Sequence, residues 1–174
     1  MKKVALLGLL SVAVMANESG LYVGGEVGST HVKTATGAAK YNATRVSEGI
    51  YLGYYFNENS RAYIAYTQVN ADMNHDIPEK TKIYSAGYDY LFGTSALKPF
   101  IGGIIGYTTY KDGDFKVNGM AYGVQAGVDY KINTNISVDA GYRYLDSSAK
   151  KTYNNAESTM DSFQTFFVGA NYKF

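Results

Sequence analysis

The stretch Met120-Ala121-Tyr122-Gly123-Val124-Gln125-Ala126-Gly127-Val128-Asp129-Tyr130-Lys131-Ile132 decides the fold. Its even positions, from Met120 to Ile132, are all apolar or aromatic. Its odd positions, Ala121, Gly123, Gln125, Gly127, Asp129 and Lys131, are small or polar. A β-strand turns successive side chains to opposite faces, so this period of two makes a strand with one apolar and one small or polar face.

The pattern repeats on the C-terminal side. Ile136, Val138, Ala140, Tyr142 and Tyr144 alternate with Ser137, Asp139, Gly141 and Arg143. Phe166, Val168, Ala170, Tyr172 and Phe174 alternate with Thr165, Gly169, Asn171 and Lys173. On the N-terminal side the signal is noisier. Leu21, Val23 and Val27 oppose Tyr22, Gly24, Glu26 and Gly28. Ile50, Leu52, Tyr54 and Phe56 oppose Gly49, Tyr51 and Gly53. Tyr84, Ala86, Tyr88, Tyr90 and Phe92 oppose Ser85, Gly87 and Asp89. Arg61 to Val69 and Phe100 to Tyr110 read as strands whose faces the alternation leaves open. The sum is about eight strands of roughly ten residues, the length a tilted strand needs to cross a bilayer.

The connections alternate as well. Asn57–Ser60, Gly93–Lys98 and Asn133–Asn135 are tight turns of Asn, Ser, Gly and Thr. Longer polar stretches, His31–Arg45, Asn70–Thr81, Lys111–Asn118 and Asp146–Asp161, read as loops at the other end. Short turns at one end and long loops at the other are the habit of bacterial outer-membrane barrels.

Residues 1–16, MKKVALLGLLSVAVMA, are expected to be a secretory signal peptide, with the barrel domain over 17–174. Lys2 and Lys3 precede an apolar run from Val4 to Met15, too short for the roughly 20 residues of a spanning helix. Its removal takes the net charge from +1 to −1. No later segment is apolar enough for a membrane helix, so a mature chain within lipid has to be a closed barrel, the other way of pairing every backbone polar group. The absence of cysteine excludes disulfides and thiolate metal sites, and near-neutral charge gives no basic surface for nucleic acid.

Periodicity alone leaves open which face is inside. A soluble barrel would turn the apolar face inward. The Gly-, Ser- and Ala-rich polar face suits a narrow lumen better than a water-washed surface. Aromatics near strand ends (Tyr54 and Phe56, Tyr90 and Phe92, Tyr172 and Phe174) match the girdles at membrane boundaries. With the loop alternation, these favour an all-β, eight-stranded antiparallel up-and-down transmembrane β-barrel with both termini in the periplasm.

The closing stretch Phe166-Phe167-Val168-Gly169-Ala170-Asn171-Tyr172-Lys173-Phe174 resembles the last strand of small outer-membrane barrels. Lys98-Pro99-Phe100-Ile101-Gly102-Gly103-Ile104-Ile105-Gly106-Tyr107 is similar to a strand common in OmpA/OmpX-like and opacity-type barrels. The resemblance implies an outer-membrane location and contact with outer-membrane lipids. It also implies that Tyr172 and Phe174 form a C-terminal assembly signal read by periplasmic chaperones and the barrel-assembly machinery. It does not choose among roles, since such barrels serve as anchors, adhesins, small pores and lipid-modifying enzymes.

The expected interior carries Glu26, Asp89, Asp129, Lys131, Asp139, Arg143 and Lys173. Charges in a narrow lumen are tolerated only when paired, so these residues form either a static polar plug or a gate whose ion pairs switch. Catalysis has little to work with. His31 and His75 are the only histidines, neither belongs to a nucleophile–base set, and the His-x-Ser pair of deacylase-type barrels has no match. No metal or other cofactor is expected. The leading expectation is a non-enzymatic surface protein that supports envelope integrity and binds an extracellular ligand through its loops. A narrow pore is the alternative and a lipid-modifying enzyme a distant third.

Overall fold

The computed structural model describes residues 19–36, 39–70, 80–112, 115–148, 150–153 and 156–174. Its elements are β1 (Gly20–Thr36), β2 (Ala39–Asn57), β3 (Ser60–Val69), β4 (Lys80–Leu91), β5 (Leu97–Asp112), β6 (Phe115–Lys131), β7 (Ile136–Ser147), β8 (Lys150–Tyr153) and β9 (Ala156–Lys173). Each strand from β1 to β6 pairs antiparallel with its successor, β7 pairs with β9, and β9 closes onto β1. The short β8 pairs with β9 alone and prolongs the line of β7. The wall is thus a closed up-and-down barrel of eight strands, which leaves no sheet edge exposed to lipid.

The short turns gather at one end and are tied by asparagines. The Asn57 carboxamide accepts the Asn59 N–H at 2.8 Å, and Asn59 Nδ2 donates to the carbonyls of Leu91 and Gly93 in the next turn. Gly93 has φ +85°, a conformation open to glycine at little cost. Asn133 Oδ1 accepts the N–H groups of Asn135 and Ile136, while Asn135 Nδ2 donates to the Lys173 carbonyl.

The opposite end corrects the sequence reading. His31–Arg45 was expected to be a loop, yet β1 and β2 stay paired from His31↔Thr44 to Thr36↔Ala39. Lys111–Asn118 behaves likewise, with Lys111↔Lys116 and Asp112↔Phe115 in register. Much of Asp146–Asp161 belongs to β8 and β9. The physical reason is that polarity marks exposure to water, not loss of strand. An antiparallel ladder needs only backbone pairing, and Thr30, Val32, Thr34, Thr36, Thr44 and Val46 are β-branched residues that favour it. Of Asn70–Thr81, residues 71–79, including His75, lie outside the described residues, as does the segment 1–16.

Strands of 17, 19, 16, 17 and 18 residues in β1, β2, β5, β6 and β9 therefore exceed the roughly 9–11 that a membrane strand needs. Those hairpins project past the apolar band, whereas β3, β4 and β7, at 10, 12 and 12 residues, are close to span length.

Burial is inverted relative to a water-soluble protein. Ile50, Ile64 and Phe166 are 66%, 63% and 68% exposed, while Arg61, Asp89 and Asp129 are 3%, 0% and 0% exposed. The structure also fixes the two faces left open by the alternation. Arg61, Tyr63, Thr67 and Val69 of β3 and Phe100, Ile104 and Thr108 of β5 are buried, whereas Ile64, Ile101, Ile105 and Tyr107 are exposed.

Candidate functional site: a charged lumen beneath an apolar layer

Along β1, the inward positions traverse the lumen in sequence order. Tyr22 is nearest the turn end, Glu26 follows, then Thr30, then Val32 toward the projecting hairpins. Each belongs to a different layer.

The lowest layer is built around Arg61, the second residue of β3. The two-residue connection at Glu58–Asn59 sets Arg61 opposite Tyr55, on the face that looks inward. Arg61 Nε donates to Asp89 Oδ2 at 2.9 Å, Nη1 to Asp129 Oδ2 at 3.3 Å and Nη2 to Asp139 Oδ2 at 3.2 Å. One guanidinium thus holds carboxylates from β4, β6 and β7, a use of its rigid fork of donors that a lysine could not reproduce. Tyr22, Tyr55 and Phe100 surround it, with ring centroids 5.9, 5.9 and 5.0 Å from its Cζ. These distances lie in cation–π range.

Further donors hold the aspartates. Ser137 Oγ donates to Asp129 at 3.0 Å and Asn171 Nδ2 to Asp139 at 3.2 Å. Inward glycines leave the space these groups occupy. A Cβ on Gly102 would collide with Asp89 Oδ1, and one on Gly169 with Asp139 Oδ1.

Arg143 organises the next layer. Its Nη1 and Nη2 grip Glu26 Oε1 and Oε2 at 2.6 and 2.9 Å, the two-pronged geometry in which an arginine–carboxylate pair is strongest. Its Nε donates to Gln125 Oε1 at 3.0 Å, and Gln125 Nε2 donates to Asp89 Oδ1 at 2.7 Å. Gln125 therefore joins the two arginine clusters into one network. The cavity among these groups measures about 20 Å³, about the space of a single water.

Above lies a hydroxyl belt, where Thr30 Oγ1 donates to Ser47 Oγ at 2.8 Å and lies 2.9 Å from Thr165 Oγ1. Beyond it Val32, Val69, Ile83, Ile104, Leu145 and Phe163 pack together. They come from six different strands, so the cluster crosses the whole lumen.

Of the sequence-predicted residues, Glu26, Asp89, Asp129, Asp139 and Arg143 share this network. Lys131 and Lys173 stand instead at the turn-end mouth, lining a cavity of about 30 Å³ with Glu58 and Asn171. Lys173 also lies 5.9 Å from the Tyr55 ring. Sequence reasoning missed Arg61 and Gln125 as network members and Lys98, which is buried and donates to the Glu58 carboxylate at 3.1 Å. Arg61 was recoverable, because a two-residue turn fixes its register against Tyr55, itself opposite in face to Tyr54 and Phe56. Tyr172 and Phe174 are exposed on the outer wall with their rings 5.2 Å apart, and the Phe174 N–H bonds the Leu21 carbonyl at 2.9 Å.

His31 is paired with the Thr44 hydroxyl at 3.1 Å. Among the described residues no group of three or more His, Cys, Asp or Glu is arranged to hold a metal ion.

A closed wall, an apolar exterior and a charged, filled interior define a small transmembrane β-barrel of the bacterial outer membrane. The chain belongs to the outer membrane protein beta-barrel domain family, whose model matches residues 4–174. Among solved structures it is similar to Neisserial surface protein A, with a TM-score of 0.69 and 26% identity over 90% of this chain and 99% of that one. It shares its fold with two Pseudomonas aeruginosa outer-membrane proteins. OprG gives a TM-score of 0.63 at 18% identity, covering 90% of this chain and 97% of that one. OprH gives 0.60 at 24%, covering 89% and 99%. No curated protein matches the sequence.

Proposed function

We propose that the protein is a non-conducting, non-enzymatic outer-membrane barrel whose work is done on its outside. It contributes to envelope integrity and displays long hairpins to extracellular partners. One observation carries this reading: the apolar layer drawn from six strands lies across the same lumen whose lower half is occupied by the Arg61 and Arg143 network. An ion would have to shed its water to pass the first and break buried ion pairs to pass the second, and both steps are costly. On this reading the lumen charges are a static plug.

The chain is exported by the signal segment at 1–16, and Tyr172 and Phe174 are presented to the periplasmic chaperones and assembly machinery. The projecting strands of β1–β2 and β5–β6 support this use of the surface, since they extend beyond span length.

The test is single-channel recording of the folded barrel in a planar bilayer. A silent bilayer, with folding verified in the same sample, is the expected outcome. Discrete steps whose size changes in Arg143→Ala would instead make the protein a narrow channel and the lumen charges its gate.

A further inference from the structure

Glu48 on β2, Gln68 on β3 and Lys82 on β4 form one cross-strand row of the outer wall. Glu48 and Lys82 are exposed, and among the described residues neither has an ion pair or hydrogen bond within its own chain. Strands lie about 4.8 Å apart, so roughly 10 Å separates the two backbone positions, with Gln68 between them. Asp146, on the far wall, is placed differently, since it accepts the Tyr122 hydroxyl at 3.2 Å. Glu48 is flanked instead by apolar neighbours, Val46 and Ile50 on its own strand and Val27 across the ladder, all exposed.

The stagger of the barrel decides which residues stand at one height. A cross-strand row that leaves β1 at Tyr22 returns to it at Val32, ten residues nearer the projecting hairpins. Each step to the next strand therefore climbs about 1.25 residues. Two strands beyond β2, the outward residue level with Glu48 is Tyr84, and the one level with Ile50 is Ala86. Lys82 stands one outward position above Tyr84, a rise of roughly 5 Å that the four-carbon stem of a lysine can span. Ile50, Ile64, Tyr66, Tyr84 and Ala86 border a shallow apolar concavity of about 700 Å³, in which Ala86 is the smallest of the outward side chains.

We infer that this wall, centred on β3, packs against the same wall of a second copy of the chain. The two-fold axis runs along the membrane normal in front of β3, so it preserves height and exchanges left for right. In such a contact residue i meets j and j meets i. Glu48 of each copy meets the Tyr84 hydroxyl and the Lys82 ammonium of the other. Ile50 of each enters the hollow at the other's Ala86, and Gln68 faces Gln68. The occupant is a second copy because acid and base stand on either side of Gln68, an order that its own rotated image complements at both ends at once. Anionic headgroups, by contrast, are repelled by Glu48. The inference rests on the barrel's seat in the outer membrane and is independent of whether the lumen conducts.

The test uses donor- and acceptor-labelled populations of the full barrel in phosphatidylcholine vesicles, with energy transfer read as lipid dilutes the protein. Transfer above random encounter is expected for the unaltered chain. Glu48→Lys or Lys82→Glu alone sets like charges together at both ends of the contact and is expected to weaken association about tenfold. The double reversal restores both pairs and is expected to return to within about threefold of the unaltered chain. The chain has no cysteine, so Gln68→Cys introduces a single thiol at the axis. A short bifunctional thiol crosslinker should join two copies through it and should leave Val124→Cys, exposed on β6, as single chains. If a reversal variant fails to fold, the two cysteine variants carry the test. Transfer no greater than random encounter in the unaltered chain, which would mean that lipid covers the wall, overturns the inference. So do association indifferent to the single reversals, a double reversal no tighter than the single ones, and crosslinking through Val124→Cys rather than Gln68→Cys.

Discussion

Two halves of one lumen solve the same filling problem with opposite chemistry. Near the turn end, space is filled by charges: Arg61 binds Asp89, Asp129 and Asp139, Arg143 binds Glu26, Gln125 links Arg143 to Asp89, and Ser137 and Asn171 donate to Asp129 and Asp139. Toward the projecting hairpins it is filled by Val32, Val69, Ile83, Ile104, Leu145 and Phe163. The ionic half depends on geometry, because each group is tolerable only while its partners are in place. The apolar half depends on volume, because its groups need only be packed. The first should therefore fail abruptly when one member is removed, and the second in proportion to the space left behind.

The largest effect is expected from Arg61→Ala, which strands three buried aspartates at once. Loss of one partner of a buried ion pair costs about 3–5 kcal/mol, and this variant should lie at or above the top of that range. Urea unfolding of the refolded barrel in lipid vesicles checks it, and a loss no larger than that of Arg143→Ala would remove Arg61 from the centre of the network. Phe163→Ala comes next, at about 3 kcal/mol from cavity formation. Leucine at that position should recover most of the loss, whereas no such volume-matched swap should rescue Arg61.

Gln125→Leu is smaller. It leaves Arg143 Nε and Asp89 Oδ1 each without one hydrogen bond, an effect of about 1–3 kcal/mol. The smallest expected quantity is the coupling between halves. A double-mutant cycle of Arg61→Ala with Phe163→Ala should be additive within about 0.5 kcal/mol, as for separated sites. The cycle of Arg143→Ala with Gln125→Leu should not. A large coupling between Arg61 and Phe163 would show the lumen to be one cooperative unit and end the comparison.

The division also governed what could be read in advance. Asp129, Asp139 and Arg143 were legible because each sits at a polar position of a strand with clean alternation, and Glu26 and Asp89 because their noisier strands still alternate. Arg61 was not, because β3 presents Tyr63, Ala65, Thr67 and Val69 to the lumen and Ala62, Ile64 and Tyr66 to lipid, so both faces are apolar. Periodicity carries no signal where the two faces have the same character. The upper apolar layer was hidden as well. Val32 fell in a stretch read as a loop and Ile104 in a strand whose faces the alternation left open, until the register assigned both inward. The projecting strands were misread because composition was taken to indicate a loop when it indicated only contact with water.

What the sequence alone determined is the period of two, the strand count of the wall, the apolar exterior and most of the lumen charges. The period of two follows from covalent geometry, because alternation in a strand is local; which face is outward followed from the small residues of the polar face and the aromatics near strand ends. What only the tertiary structure decided is which charge meets which. Arg61 reaches Asp139 across 78 residues of sequence, and Arg143 reaches Glu26 across 117. Those distances along the chain collapse only when β9 closes onto β1 and the shear of the barrel sets the height of each inward side chain.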